Sequence, residues 1–283
     1  MKRKAYAKIN IALDAIGKRE DGYHLLKMIM QTVDIYDEIE LKKNNTNKIH
    51  VTTDKYYLPT DEKNLAFRAA KLFKDTYGIK DGVDINIKKN IPVSAGMAGG
   101  SSDAATVLFL MNKVFNKNIS KTSLEKLAVK IGADVPYCIE GGTALCEGIG
   151  EKITKLKPFK DKILIVVKPN FGVSTKDVYK NLDITKIHKH ADIEGIIRCM
   201  GRDELYGVST RMRNVLENVT IKKHRVIREI KDEMRNAGAV GTMMSGSGPT
   251  VFGFFEDMLV AQKAYDIMKS LYSHNDVFIT RTV

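Results

Sequence analysis

Cysteine is scarce in this chain, and metal-binding patterns are missing with it. Cys138, Cys146 and Cys199 make an odd number of three, with no C-x-x-C pair, which argues against both a disulfide framework and a thiolate zinc site. His188 and His190 lie in a polar, lysine-rich stretch with no cysteine near, and read as surface residues. No apolar run approaches membrane-spanning length. The opening Met1-Lys2-Arg3-Lys4-Ala5-Tyr6 lacks the apolar core of a signal peptide, so the cytosol is the expected compartment. Three familiar phosphate-binding signatures are absent as well. A Walker A loop needs Lys-Ser or Lys-Thr after its last glycine, whereas Ser101-Ser102 follow Gly100 directly. Gly96, Gly99 and Gly100 do not carry the G-x-G-x-x-G spacing of a dinucleotide fold. Neither H-R-D nor D-F-G of the protein kinases occurs.

What is present is 283 residues with 43% hydrophobic content, enough for a core and, by the usual domain size, for two domains. The formal net charge is +12, from 46 Lys+Arg against 34 Asp+Glu. The lysines are scattered along the whole length, so an anionic small substrate accounts for the charge as well as a nucleic acid does, and most belong to a solvated surface.

The stretch from Pro92 to Ala105 organises the rest. Before it, Val83-Asp84-Ile85-Asn86-Ile87 alternates with period two. After it Ala104, Val107, Leu108, Met111, Val114 and Phe115 recur at helical spacing. A strand therefore leads through Gly96, Gly99 and Gly100 into a helix N-terminus, where Ser101 or Ser102 can serve as cap. Unpaired first-turn amides and the positive dipole end suit a nucleotide phosphate. A capped helix after an ordinary glycine-rich turn is the plain alternative, and context decides between them.

That context is an ordered set. In Ala5 to Leu13 the odd-numbered residues are apolar, while Tyr6, Lys8 and Asn10 share the other face. Asp21-Gly22 marks a turn that presents Tyr23 and His24 ahead of a strand from Met28 to Val33. Leu65, Ala69, Leu72 and Phe73 form a helical stripe within 64–77. Leu124, Leu127, Ala128 and Ile131 form another, stopped at Gly132. Asp134 lies just beyond that stop, ahead of a residue pair that Pro136 biases towards extended backbone. Residues 141–157 read as a hairpin, Ile163 to Val167 as a buried strand and 192–236 as two or three helices, one of them basic around Lys222 to Arg235. Gly241 to Gly253 reads as a tight glycine loop running into a strand from Thr250 to Phe255.

The central loop resembles the P-x-x-x-G-L-G-G-S-S-A motif of the GHMP kinases, departing at Met97 for leucine and at Ala98 for a usual glycine. Ala7-Lys8-Ile9-Asn10, Asp21-Gly22-Tyr23-His24, Gly132-Ala133-Asp134-Val135-Pro136, Val173 to Tyr179 and Gly246-Ser247-Gly248 are similar to the remaining motifs, in the same order, of one branch of that family. The resemblance implies an α+β, two-domain fold: a ribosomal S5 domain 2-like N-terminal domain over residues 1–158 and a ferredoxin-like C-terminal domain over 159–283.

The resemblance also implies ATP and Mg²⁺ as cofactors, and cytidyl diphosphate methylerythritol as a substrate phosphorylated on its 2-hydroxyl in the non-mevalonate isoprenoid route. By the same resemblance Lys8 and Asp134 are catalytic. ATP is bound by Pro92, Val93, Ser94, Ala95, Gly96, Met97, Ala98, Gly99, Gly100, Ser101 and Ser102, with Asn64 and Lys89 flanking adenine and ribose. The other substrate meets Asn10, Tyr23, His24, Tyr179, Gly246, Ser247 and Gly248, with Tyr23 and Tyr179 sandwiching the cytosine and His24 bonding its edge. No side chain is assigned as a metal ligand. A monomer or weak homodimer without nucleic-acid or membrane partners is expected. A homoserine or mevalonate kinase would share the loop but has no use for a cytosine clamp. An RNA-binding protein on the S5-like fold would exploit the charge but has no use for Asp134.

Overall fold

The computed structural model describes residues 1–283. In chain order its elements are β1 (Lys2–Lys18), β2 (His24–Asn44), β3 (Ile49–Thr53), α1 (Leu65–Tyr77), β4 (Gly82–Lys88), α2 (Gly99–Val114), α3 (Lys121–Ala128), α4 (Val135–Glu140), β5 (Thr143–Gly148) and β6 (Lys152–Lys155). There follow β7 (Ile163–Lys168), α5 (Thr175–Lys180), α6 (Ile193–Gly201), α7 (Leu205–Arg211), β8 (Arg213–Asn214), α8 (Glu217–Lys223), α9 (Val226–Asn236), β9 (Gly241–Met244), β10 (Val251–Phe255), α10 (Met258–Leu271) and β11 (Asp276–Arg281). They fall into two compact units built from separated stretches. The first holds Met1–Ala7, Ile35–Ile91 and Ala98–Gly141; the second holds Lys8–Asp34, Pro92–Met97 and Gly142–Val283.

In the first unit β4 pairs antiparallel with the distal half of β2, from Glu38 with Lys88 to Asn44 with Gly82, and parallel with β3. Its period-two pattern buries Val83, Ile85 and Ile87 and exposes Asp84, Asn86 and Lys88, as a sheet with one covered face requires. Helix α1 is opened by the Asn64 side chain, which accepts from Ala66 N, and closed by Gly78 in the left-handed region at φ 63°. Ala69 and Phe73 of α1 join Val107, Leu108 and Met111 of α2 and Ile85 and Ile87 of β4 in one core. Phe73 is fully buried in it; truncation of such a ring to alanine typically costs about 3–5 kcal/mol.

The second unit carries a four-stranded sheet in the order β11-β7-β10-β9, every pairing antiparallel. Strand β7, a continuous apolar run, is central and buried from Leu164 to Val167. Helices α9 and α10 pack on this sheet. With helices between β7 and β9 and α10 between β10 and β11, the connectivity is the β-α-β-β-α-β plait. The β5–β6 hairpin attaches to β2 through β5, and the short β8 lies parallel to β1 at Ala12 and Leu13.

The structure departs from the sequence expectations in three places. Residues 192–236 hold four helices, and the basic stretch is divided between α8 and α9 around His224 and Arg225. Helix α3 ends at Ala128, four residues before Gly132. Val135 and Pro136 open the short helix α4 instead of extending the chain, because a proline in the first turn has no intrahelical amide bond to lose.

Helix α2 begins after Ala98, which sits at φ 58°, ψ 29° with no side-chain cap. A β-carbon in that left-handed region is strained by about 1–2 kcal/mol. Ala98→Gly therefore stabilises the fold by about 0.5–1 kcal/mol once glycine's greater unfolded-state entropy is subtracted. The gain is read as a higher denaturant midpoint at unchanged slope; a midpoint at or below the native one contradicts it.

Candidate active site

In the second unit three distant segments meet at one carbonyl. Residues 8 and 10 share a face of β1, and Lys8 Nζ donates to Asn10 Oδ1 at 2.7 Å and to Gly96 O at 3.2 Å. Lys8 N donates to Met97 O at 3.1 Å. Ser245 Oγ donates to the same Gly96 O at 3.0 Å. Gly96 is at φ 73°, and a β-carbon there would stand 2.3 Å from Ser245 O; no other residue fits this position. Gly246, at φ 56°, comes close as well, since its β-carbon would lie 3.1 Å from Gly96 O.

The Ser245–Gly248 turn is held from behind. The buried Asn214 donates its amide to Met244 O at 2.8 Å and Gly246 O at 2.7 Å. Thr220 Oγ1 donates to Ser247 O at 3.2 Å, and the hydroxyls of Ser247 and Thr175 lie 2.8 Å apart. Sequence reasoning missed Asn214 and Thr220, and took in Thr175 only as part of the Val173–Tyr179 segment. Asn214 and Thr220 are single polar residues in otherwise unremarkable segments, and only the tertiary fold gives them partners.

The turn before β2 has Gly22 at φ 88°, with Asp21 Oδ1 accepting from Tyr23 N at 3.2 Å. It leaves Tyr23 exposed and turns His24 inward. The His24 ring lies 5.3 Å from the ring of Tyr179, tilted by 35°. Tyr179 rides on α5, whose first turn is capped by Ser174. Burial, and then the charge of Lys18, hold the His24 imidazole below its ordinary pKa. At neutral pH it is a neutral ring with one donor and one acceptor.

The first unit supplies the helix start. The first intrahelical bond of α2 runs from Ser102 N to Ala98 O at 2.8 Å, so the amides of Gly99, Gly100 and Ser101 precede the helical ladder. Neither serine caps the helix; Ser102 Oγ donates to Tyr6 O at 2.7 Å. Asn64 is spent on α1, its amide donating to Pro59 O at 2.7 Å while its oxygen caps. Lys89 is buried, and its Nζ donates to Asp103 Oδ2 at 2.7 Å and to Asp37 Oδ2. Asp37 Oδ1 accepts from Asn90 N at 2.6 Å and Ile91 N at 2.8 Å. Asn64 and Lys89, expected beside adenine and ribose, thus have their polar atoms committed to protein partners. Burial works to lower the Lys89 pKa, but the two carboxylates outweigh it and raise it. For Asp103 burial is the largest cause, opposed by Lys89 and reinforced by Asp37, and its carboxyl is pushed up to about 7. Asp134 stands half-buried immediately before α4, and its side chain does not cap that helix. No group of three or more His, Cys, Asp or Glu side chains is placed to hold a metal ion.

These motifs have counterparts along the whole chain. Residues 64–142 match the GHMP kinases N terminal domain and residues 187–274 the GHMP kinases C terminal. The 4-diphosphocytidyl-2-C-methyl-D-erythritol kinase of Clostridium perfringens is 66% identical over 283 residues, 100% of this chain and 98% of the relative. The chain belongs to the GHMP kinases. This GHMP kinase is also 63% identical over 283 residues to the 4-diphosphocytidyl-2-C-methyl-D-erythritol kinase of Clostridium beijerinckii, 100% of both chains. A crystal structure of a 4-(cytidine 5'-diphospho)-2C-methyl-D-erythritol kinase matches it with a TM-score of 0.85 at 30% identity, covering 100% of this chain and 99% of that one. As a GHMP kinase it is a phosphotransferase with ATP as co-substrate, and its α+β architecture is the two-domain fold of that family.

Lys89 neutralises two buried carboxylates. Lys89→Met leaves Asp37 and Asp103 facing each other and costs about 3–5 kcal/mol, as when one partner of a buried ion pair is removed. Urea unfolding measures it; a loss below about 1 kcal/mol, the worth of a surface pair, shows that the lysine does not hold the group together.

Proposed function

We propose that this kinase transfers the γ-phosphoryl group of ATP to the 2-hydroxyl of 4-diphosphocytidyl-2-C-methyl-D-erythritol, giving the 2-phosphate and ADP in the non-mevalonate route to isoprenoids. Relatives bearing that name at 63–66% identity support the substrate. In the chain itself the reading rests on the His24–Tyr179 ring pair, in the same unit as Lys8 and Asn10. A pyrimidine has a face to stack and an edge to bond, and a neutral imidazole beside an aromatic ring answers both needs. Homoserine and mevalonate have neither face nor edge.

Phosphoryl transfer asks a protein chiefly for positioning and charge neutralisation. Residues Pro92, Val93, Ser94, Ala95, Gly96, Met97, Ala98, Gly99, Gly100, Ser101 and Ser102 wrap the triphosphate, with the amides of Gly99, Gly100 and Ser101 pointing at its oxygens. Lys89 supports that loop through its bond to Asp103, while Asn64 caps α1. Lys8 offers its cation to the γ-phosphoryl group. Asp134 orients the acceptor hydroxyl and takes its proton as the new O–P bond forms and the bond to the bridging oxygen breaks, the electron pair leaving with ADP. Tyr23 closes on the cytosine opposite Tyr179, and Asn10, Gly246, Ser247 and Gly248 line the acceptor. Mg²⁺ takes oxygen ligands, which the ATP phosphates themselves offer, and there it would neutralise phosphate charge.

We further place a domain boundary at 158, which lies in the gap between the matched segments 64–142 and 187–274. The setting we propose is cytoplasmic, with two dissolved small molecules as partners, no nucleic acid, and a monomer or weak homodimer. No helix is long and apolar enough to cross a membrane.

Asp134→Asn is expected to leave folding and ATP affinity intact and to lower turnover by roughly 10²–10⁴, the worth of a positioned base. ADP release assayed with the cytidyl substrate, homoserine and mevalonate side by side tests the assignment as a whole; turnover near the native rate in the variant removes Asp134 from the mechanism. Tyr23→Ala is expected to raise the KM for the cytidyl substrate roughly tenfold, about the worth of one stacked base, and to leave that for ATP nearly unchanged. Equal shifts in both constants argue against stacking.

A further inference from the structure

The three charged side chains buried beneath the phosphate loop do not balance. Asp37 on β2 grips the chain before the loop through Asn90 N and Ile91 N, Asp103 lies in α2 just after the loop, and Lys89 bonds both acids. With both acids ionised the triad carries one excess negative charge. Asp103 is the fifth residue of α2, past its first turn, so its charge acts on an anion at the loop amides through space. Asp103 Oδ1 is buried and has no hydrogen-bond partner.

We propose that Asp103 is a positioning residue for the nucleotide: through Lys89 and Asp37 it ties both ends of the phosphate loop together, and its charge sets how strongly the loop amides attract phosphate. This rests on the assignment of the loop to ATP. The charged groups that face Asp103 are Lys89, from the segment after β4, and Asp37, from β2. With its carboxyl pushed up to about 7, Asp103 changes charge across the neutral range. Below that pH the triad is neutral and phosphate is held more tightly. Above it the excess negative charge returns and affinity falls. Asparagine at 103 retains an oxygen for Lys89 to bond and removes the charge, which separates the tie from the electrostatics.

The test is calorimetric binding of ATP with Mg²⁺, without acceptor, from pH 6 to 8, on the native chain and on Asp103→Asn. ATP's own ionisation is common to both proteins and cancels in the ratio of their Kd values. That ratio, native over variant, is expected to rise roughly three- to tenfold over this range, the effect of one nearby charge partly screened by a protein surface. The KM for the acceptor should not follow it. Asp37→Asn removes the acid that helps to raise Asp103, so its inflection should move to lower pH, and this variant carries the test if Asp103→Asn does not fold. A ratio flat with pH, an inflection unmoved in Asp37→Asn, or an acceptor KM that shifts as far as the ATP Kd overturns the proposal. Native protein that binds no ATP overturns the assignment beneath it as well, and a flat ratio on an ATP-binding protein leaves that assignment standing.

Discussion

The carbonyl oxygen of Gly96 is the acceptor on which the placing of Lys8 and Ser245 in the second unit depends. It takes Lys8 Nζ from β1 and Ser245 Oγ from the glycine loop after β9, and a carbonyl has two lone pairs to give. Holding a lysine side chain in one geometry costs about 1.5–2 kcal/mol of rotamer freedom. Two charge-assisted bonds, to Asn10 Oδ1 and Gly96 O, are each worth about 1.5–3 kcal/mol and offset that cost. The ammonium is thereby pre-set before any ligand arrives, which is what electrostatic stabilisation of a transferring phosphoryl group requires. Gly96 and Gly246 answer to the same contact, since backbones this close leave no room for a β-carbon.

The first unit solves a different problem. A strand must turn sharply into helix α2 while leaving three amides open, and the turn itself has few bonds to hold it. The structure places a charged group under it: Asp37 pins the residues before the loop and Lys89 reaches across to helix α2 beyond it. A buried ion group is a poor source of net stability. Its value here lies in direction, because a carboxylate accepting two successive amides and an ammonium between two acids permits few alternative arrangements.

Much of this was legible in the sequence, for identifiable reasons. Period-two alternation placed Lys8 and Asn10 on one face of β1, helical spacing found α1 and α2, and the glycines marked the loops where positive φ or close approach is needed. Pairings set by tertiary folding leave no such sign. Asp37 lies 52 residues from Lys89, which lies 14 from Asp103, and on its own Asp37 reads as one more charge on a long strand. His190 reads as a surface histidine and is indeed half exposed, yet its Nδ1 meets the buried Asp14 at 2.9 Å. The serines after Gly100 read as caps because their position suits one; Ala98 in the left-handed region and the Tyr6 carbonyl gave the backbone and the Ser102 hydroxyl other roles.

The interleaving of the two units bears on how the chain is made. Everything the first unit contains has left the ribosome once Gly141 is free, and its core needs no later residue. The second unit takes Lys8–Asp34 from near the start, yet its sheet is completed by β11 at the far end. During synthesis that early segment must wait for most of the polypeptide, while the unit made in the middle can already pack. The lysine assigned to phosphate chemistry is among the first residues translated, and the sheet of its unit is among the last parts to form.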